Sequence, residues 1–298
     1  MFCRFQTTTH GKWILAGEHA VLRGYGALAF PVKEKYLTLT YQPKTSDLSA
    51  DYDGSSGDEM HLLFWSVLEQ GQQLLGQSLN RLTGHFHLQS NIPIGVGMGA
   101  SAALCVAMSR WFAAQNLLLD ETISSFAQNL ENLFHGKSSG LDIAAVAAED
   151  GIYFKQGNIS PIKPAWQPQW YLSSCGQIGI TSHCIAEVNK LWQQAPEQAK
   201  AIDEKMRDAV EKSRVALETN CPKSLKNLQE AIKESANCFK AWGLVSNTLQ
   251  HHMELLSHAG ALAVKPTGSG EGGYVLSLWN KPRPELPFEL IPLSSYDG

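Results

Sequence analysis

The sequence predicts a two-domain protein of the α/β or α+β class, because strand patterns and helix patterns occur in both halves of the chain. Its 298 residues suffice for one large or two ordinary domains. Hydrophobic residues make up 44% of the chain and charged residues 17%, a balance typical of a globular protein with a substantial core. The proline-rich segment 155–170 has little periodicity and is the best candidate for a boundary. The predicted domains therefore cover residues 1–168 and 169–298.

In the first half, the spacing of apolar residues switches several times between the strand and helix repeats. Strands are predicted at residues 13–15, 37–41, 85–90 and 152–154, and helices at 60–75, 100–117, 121–134 and 139–149. Asp120 is the predicted N-cap of the third of these helices, and Gly136 is its predicted C-terminal stop. Residues 45–58, rich in serine, aspartate and glycine, are predicted to form an exposed loop.

Beyond the boundary segment, the chain is predicted to be mainly helical. The helical patterns cover residues 184–193, 197–219, 222–241 and 247–258. Two predicted strands, near residues 261–265 and 274–279, flank a glycine-rich loop. Because ligands of two-domain proteins often bind between the domains, we expect a cleft there to hold the ligand.

Charge and composition narrow the classes of partner. The formal net charge of −4 gives no electrostatic reason to expect nucleic acid or an anionic membrane. The sequence has no apolar run of about eighteen residues and no signal-peptide core at its start. Its six cysteines form no C-x-x-C pair, which favours reduced thiols over disulfides or zinc. We therefore expect a cytoplasmic protein that binds neither nucleic acid nor membranes.

The segment Pro93–Ala103 carries the most informative pattern. Gly95, Gly97 and Gly99 alternate with apolar residues and lead directly into the helix predicted from residue 100. Glycine lets the backbone approach a ligand closely, and the N–H groups at a helix N-terminus bind anions. Ser101 adds a hydroxyl in the first helical turn. The pattern indicates a phosphate site, and a glycine-rich turn needed only for tight packing is the alternative.

Three charged or titratable residues, Lys12, Glu18 and His19, bracket a short predicted strand in the segment Gly11–Leu22. They form either part of a catalytic site or a surface lysine followed by an ordinary turn. In the segment Glu131–Asp142, Asp142 falls in the first turn of a predicted helix. A carboxylate there complements the helix dipole, and it is also placed to do chemistry.

The last pattern is Lys265–Gly273, which has four glycines in nine residues between two predicted strands. A long hairpin turn and a second loop that folds over a nucleotide are both consistent with this composition. The sequence of the loop alone does not separate these interpretations.

Together, the segments Gly11–Leu22, Pro93–Ala103 and Lys265–Gly273 resemble the three motifs of the GHMP family of small-molecule kinases, in the family's order. The segment Glu131–Asp142 resembles the family's catalytic stretch. The resemblance implies a two-domain α+β GHMP kinase fold. It comprises an N-terminal α/β nucleotide-binding domain and a C-terminal ferredoxin-like α+β domain, with the active site in the cleft.

The resemblance also implies roles for individual residues. Asp142 would accept or orient the proton of the substrate hydroxyl, and Lys12 would neutralise the charge that develops near it. Ser101 and Glu131 would bind Mg²⁺. The ATP phosphates would be held by Pro93, Gly95, Gly97, Met98, Gly99, Ala100, Ser101, Gly268 and Gly270. Glu18, His19 and Thr181 would face the acceptor substrate, which we expect to be mevalonate or a close relative.

The chain departs from the family pattern at two positions that bear on this site. Ala100 stands where a first serine is usual, and Glu271 stands at a glycine position of the third motif. Two alternatives therefore stay open: a kinase for another hydroxy acid or phosphomevalonate, and a family member that binds ligands without turnover. The oligomeric state also stays open, with a homodimer among the expectations.

Overall fold

The computed structural model describes residues 2–78, 82–136, 138–282 and 284–293. The chain divides into two compact units that are interleaved along the sequence. The first unit contains Met1–Lys12, Pro31–Ile94 and Met98–Ala147, and the second contains Trp13–Phe30, Gly95–Gly97 and Ala148–Gly298. The predicted consecutive domains, 1–168 and 169–298, differ from these units, and that domain division stays a prediction.

Ten strands and eight α-helices make up the regular structure of the described residues. The strands are β1 (Phe5–Ala16), β2 (Ala27–Asp47), β3 (Ser49–Asp53), β4 (Thr83–Ser90), β5 (Ile152–Lys155), β6 (Asn158–Pro161), β7 (Gln169–Ser174), β8 (Ala263–Thr267), β9 (Tyr274–Trp279) and β10 (Ile291–Pro292). The helices are α1 (Gly57–Leu74), α2 (Ala100–Ala114), α3 (Ile123–His135), α4 (Leu141–Ala147), α5 (Thr181–Gln194), α6 (Pro196–Glu218), α7 (Ser224–Ala241) and α8 (Asn247–His258).

In the first unit, helices α1 to α4 accompany a small sheet. The later part of β2 pairs antiparallel with β4, and β4 pairs parallel with β3. Helix α2 is buried on nearly every side, because its sequence is apolar or small all round. Its Trp111 packs edge-on against Phe86 of β4 and Tyr41 of β2, at ring-centroid distances of 5.0 and 5.3 Å. This packing fixes α2, and with it the point where the glycine loop ends.

In the second unit, a four-stranded antiparallel sheet has the order β10-β7-β9-β8. Helices α7 and α8 pack on β8, and α6 packs between α5 and α7. Strands β8 and β9 are buried at every residue. The start of β2 also belongs to this unit, where Ala27–Ala29 pair with β5 and β5 pairs with β6. Antiparallel strands together with packed helices confirm the α+β class.

Four local predictions differ from the structure. Residues 45–58 are mostly exposed, but they contain the end of β2, the strand β3 and the start of α1 rather than a loop. Asp120 is not the N-cap of α3; it begins a short 3₁₀ turn, and Thr122 is the N-cap. Helix α4 is shorter than predicted. The boundary segment contains β6. The predicted helix stop at Gly136 is confirmed.

Among the residues that the structure describes, no helix is both long enough and apolar enough to cross a membrane. Their cysteines are all free thiols, as the sequence predicts, and Cys105, Cys184 and Cys238 are buried.

Candidate active site

Lys12 and Asp142 form an ion pair within the first unit. Lys12 lies within β1, and its backbone N–H donates to the carbonyl of Met98 at 2.9 Å. Its ammonium nitrogen lies 2.9 Å from Oδ1 of Asp142, with side-chain exposures of 2% for the lysine and 32% for the aspartate. The interpretation of Lys12 as a surface lysine is therefore wrong. The pair presents one accessible carboxylate beside a cation that is held in place.

Helix capping does not occupy Asp142. The hydroxyl of Ser139 accepts a hydrogen bond from the N–H of Leu141 at 3.2 Å, and that of Ser138 accepts one from Gly140 at 3.1 Å. Two serines thus bind N–H groups at the start of α4 that would otherwise lack partners. Asp142, in the first turn of this helix, pairs with Lys12 instead.

Glu131 lies on α3 and is almost completely buried, with 1% of its surface exposed. The hydroxyl of Ser138 donates to its Oε2. Its Oε1 is buried and has no hydrogen-bond partner among the described residues. Burial, and second the nearby negative charge of Asp142, raise the pKa of Glu131 to about 7. A buried carboxylate oxygen without a partner is a position that a cation would stabilise.

Magnesium fits this donor set. It prefers hard oxygen ligands, keeps several waters, and is usually held by one or two carboxylates together with substrate phosphates. Among the described residues, no group of three or more His, Cys, Asp or Glu side chains is arranged to hold a metal by itself. Glu131 therefore suits an ion that takes most of its ligands from a bound phosphate and water.

The N-terminus of α2 begins at the glycine loop. Gly99 is its N-cap residue, in the left-handed conformation at φ 79°, and no side chain caps the helix. Ala100 is the first helical residue, and Ser101 follows it, half-buried. A side-chain Cβ on Gly99 would lie 2.9 Å from Cγ of Lys12. Tight packing against Lys12 therefore explains why residue 99 is a glycine. Because no side chain caps α2, its first N–H groups are available to an anion.

Tight packing does not explain Gly95 and Gly97. Their φ angles are 77° and 80°, and a Cβ on either would meet no atom closer than 3.5 Å. Their requirement for glycine is conformational, since other residues rarely adopt such angles. Residue 93, the proline of this segment, precedes the loop and is half-buried. The loop therefore needs glycine at these two positions for its backbone conformation rather than for space.

The third glycine-rich segment connects β8 to β9 as a hairpin, so the hairpin interpretation is confirmed. The loop also packs against the first glycine loop within the second unit. A Cβ on Gly268 would lie 3.4 Å from Cα of Gly97, and one on Gly273 would lie 2.8 Å from the carbonyl oxygen of Val96. Gly270 adopts φ 97° beside Leu244. The predicted nucleotide contacts of Gly268 and Gly270 stay predictions.

Glu18 and His19 are buried in the second unit rather than placed on a surface turn. Nζ of Lys265 lies 2.5 Å from Oε1 of Glu18. His19 adopts φ 56°, and its Nε2–H donates to the carbonyl of Ser269 at 2.8 Å. Burial, with a smaller effect of the positive charge of Arg23, lowers the pKa of His19 to about 4. The imidazole is therefore neutral near pH 7.

Thr181 begins α5, and its hydroxyl lies 3.4 Å from that of Ser269. Glu271 adopts φ 58°, an angle at which glycine would be unstrained. Its carboxylate faces His183 of α5, with 3.9 Å between Oε2 and Nδ1. The glycine-to-glutamate departure thus places a carboxylate beside the start of α5.

The structure groups the predicted site residues into two clusters, one in each unit. The first cluster consists of Lys12, Pro93, Met98, Gly99, Ala100, Ser101, Glu131 and Asp142, and the second of Glu18, His19, Gly95, Gly97, Thr181, Gly268 and Gly270. Sequence reasoning missed Ser138, Lys265 and Ser269 as their partners. Lys265 and Ser269 lie inside the third motif, and their place in that motif is the feature of the sequence that could have identified them.

Comparisons with known proteins show what the chain as a whole is similar to. Residues 63–149 match the family model described as the GHMP kinases N terminal domain. A mevalonate kinase from Pyrococcus horikoshii is 26% identical over 296 residues, which cover 90% of this chain and 86% of the relative. The mevalonate kinase of L. major, solved in complex with R-mevalonate, matches with a TM-score of 0.78 at 24% identity, covering 93% of this chain and 88% of that one. A Streptococcus pneumoniae phosphomevalonate kinase, solved with phosphomevalonate and AMPPNP, has a TM-score of 0.69 at 18% identity, covering 93% and 92%.

Residues 63–149 therefore form a GHMP kinase N-terminal domain, and the chain has the GHMP kinase fold. The family model and the curated relatives together make it an ATP-dependent phosphotransferase. Over nearly its whole length, it is similar to mevalonate kinases. The resemblance inferred from the sequence motifs is confirmed.

Proposed function

We propose that this protein transfers the γ-phosphoryl group of ATP to the primary hydroxyl of mevalonate, giving 5-phosphomevalonate. The observation that carries the proposal is the 2.9 Å pair of a buried Lys12 and a partly accessible Asp142. Phosphoryl transfer depends mainly on positioning and charge neutralisation, and this pair offers a proton acceptor and a cation at one place. The mevalonate kinases among the relatives support the choice of substrate.

In this reaction, Asp142 accepts or orients the proton of the attacking hydroxyl. Lys12 pairs with the carboxylate and neutralises charge on the transferred group. The glycine loop and the first N–H groups of α2 bind the phosphates, because no side chain caps this helix N-terminus. His19 and Thr181 bind the acceptor, and Glu18 precedes His19 in the buried turn beside them.

In the proposed complex, Glu131 and Ser101 would hold Mg²⁺. When bound, the ion neutralises the negative charge of the phosphate oxygens. The buried Oε1 of Glu131, which has no hydrogen-bond partner among the described residues, supports this assignment. Since Ala100 replaces the first serine of the motif, Ser101 is the hydroxyl that the first turn of α2 offers.

Glu131→Gln is expected to weaken divalent-metal binding in the nucleotide complex by about tenfold or more, since it removes a charged ligand. Mn²⁺ binding in the presence of AMPPNP, followed by electron paramagnetic resonance, measures this without turnover. The variant is expected to unfold at the same or a higher temperature, because burial penalises the native charge. Glu121→Gln, an exposed glutamate of the same unit, is the matched control. Equal Mn²⁺ affinity in wild type and Glu131→Gln would remove Glu131 from the metal site.

A panel of acceptors with Mg·ATP tests the proposed function. Mevalonate, phosphomevalonate, homoserine and galactose are supplied separately, and ³¹P nuclear magnetic resonance identifies the product. We expect a phosphate monoester of mevalonate and the highest kcat/KM for mevalonate. Preferred turnover of phosphomevalonate would reassign the substrate. Nucleotide binding without turnover of any acceptor would favour a non-catalytic family member.

A cytoplasmic location and a homodimer stay predictions, and nothing in the geometry described above depends on either.

A further inference from the structure

We propose that Lys265 is a positioning residue for the acceptor site: it holds Glu18, and through Glu18 the turn at His19, in the conformation that binds the acceptor substrate. The inference rests on the proposed function, because it assigns His19 to the acceptor. It concerns only contacts within the second unit. It also implies that Glu18 acts through its place in the interior rather than by touching the substrate.

The surroundings of Lys265 are those of a fixed internal cation. The residue lies in the middle of β8 and is 0% exposed. Its Nζ lies 2.5 Å from Oε1 of Glu18, donates to the carbonyl of Ile14 at 3.2 Å, and lies 5.3 Å from the ring centroid of Phe239. These contacts connect one ammonium group to β1, to the turn after β1 and to α7.

Fold stability alone does not account for this arrangement. Burying two charges is costly even when they pair, and well-packed apolar residues of similar volume often serve stability equally well or better. A lysine and a glutamate in the interior therefore suggest a role beyond packing. Their placement, 247 residues apart in the sequence, joins the first motif to the third.

The turn that Lys265 holds requires glycine at one position and is strained at another. Gly17 adopts φ 107°, and a Cβ there would lie 2.4 Å from Cα of Ala27. His19 follows two residues later at φ 56°, a conformation that a non-glycine residue keeps only when its surroundings enforce it. Glu18 stands between them with its carboxylate fixed by Lys265. Loss of the ion pair with Lys265 would free the side chain of Glu18, which is the neighbour of the strained His19 in the chain.

The imidazole of His19 depends on the same surroundings. Its Nε2–H donates to the carbonyl of Ser269, in the loop that follows β8. The ring packs edge-on against Trp242 and Phe239, with centroids 5.2 and 6.1 Å away, and Phe239 is also the ring beside Lys265. A shift of Lys265 or Glu18 would therefore change the orientation of His19 through both the backbone and the shared ring.

Steady-state kinetics of four variants test the proposal: Lys265→Met, Glu18→Gln, the double variant Glu18→Gln/Lys265→Met, and the control Leu256→Ala. The control removes a buried side chain of α8 in the same unit and lowers stability. We expect Lys265→Met to raise KM for mevalonate by about tenfold, a coupling typical of residues in contact, while KM for ATP changes little. The double variant is expected to show no larger effect than the more severe single variant. Leu256→Ala is expected to lower Tm without changing either KM.

The double variant keeps the test decisive if Lys265→Met fails to fold, because it leaves no unpaired buried charge. Wild-type KM for mevalonate in a folded double variant would overturn the proposal. An equal rise in KM for mevalonate in Leu256→Ala would also overturn it.

A second measurement separates this inference from the proposed function. In ¹⁵N-histidine-labelled protein, the His19 ring signals are assigned by comparison with His19→Gln, and their shifts report the protonation of the two ring nitrogens. We expect wild type to show a neutral ring protonated at Nε2 at pH 7, and the double variant to show displaced or averaged signals. Unchanged signals would overturn the positioning role. If wild type does not phosphorylate mevalonate while these signals move as expected, the proposed function fails and the positioning of His19 by Lys265 stands.

Discussion

Asp142→Asn is expected to lower kcat by about 10³-fold, because an amide does not accept the hydroxyl proton that the carboxylate accepts. Asparagine keeps the shape of the side chain and still offers an oxygen to Lys12 at the position where the ion pair now lies. The serines that cap α4 are untouched, so the helix and the fold are expected to persist. The loss should therefore appear in kcat, with the KM of ATP little changed.

Initial rates with mevalonate and Mg·ATP measure this effect. Asp120→Asn is the control, since Asp120 is an exposed aspartate of the same unit outside the site. A loss of less than tenfold in kcat, with normal nucleotide binding, would remove Asp142 from the proton transfer.

Lys12→Met is expected to lower kcat by about 10³-fold as well, the scale seen when a single preorganised group that stabilises the transition state is removed. Methionine fills much of the same volume, but it removes the buried cation beside Asp142. Arginine is not an equivalent replacement, because its planar guanidinium distributes the charge differently from the compact ammonium of lysine.

The two substitutions also test each other. Because Lys12 and Asp142 form one pair, the double variant Lys12→Met/Asp142→Asn is expected to lose little more activity than either single variant. Lys44→Met, which changes an exposed lysine on β2, is the control and should keep wild-type rates. Fully multiplicative losses in the double variant would show that the two residues act independently.

The elements with strong periodicity were predictable from the sequence. The four helices of the second half lie within a few residues of the expected ranges, and β8 and β9 lie where the two strands were expected. Strand β3 was missed, because residues 49–53 alternate small, acidic and aromatic side chains and are mostly exposed. Its pairing with β4 comes from long-range contacts, which local composition does not encode.

The N-cap of α3 shows a different kind of limit. Asp120 has the chemistry of a capping residue, and local rules place a cap there. The chain instead forms a 3₁₀ turn from Asp120 to Thr122 before α3 begins. The capping chemistry of Asp120 therefore predicted the start of α3 to within a few residues, but it did not identify the N-cap residue.

For the candidate site, the sequence supplied the residue types and the resemblance supplied their roles. The proximity of Lys12 to Asp142, across 130 positions, follows from neither local pattern nor composition. The same holds for Lys265 and Glu18, since a lysine in a five-residue strand gives no indication that it is buried. Ser138 was passed over because its effect, donation to Glu131, depends on the fold of the turn between α3 and α4.

Transfer of label from γ-radiolabelled ATP to mevalonate, in a single turnover with enzyme in excess, tests the proposed reaction most directly. Wild type is expected to move the label into 5-phosphomevalonate, while Asp142→Asn binds ATP and leaves the label on the nucleotide. Label transfer at equal rates in both proteins would contradict the role of Asp142. Failure of wild type to label mevalonate, with ATP bound, would contradict the proposed function itself.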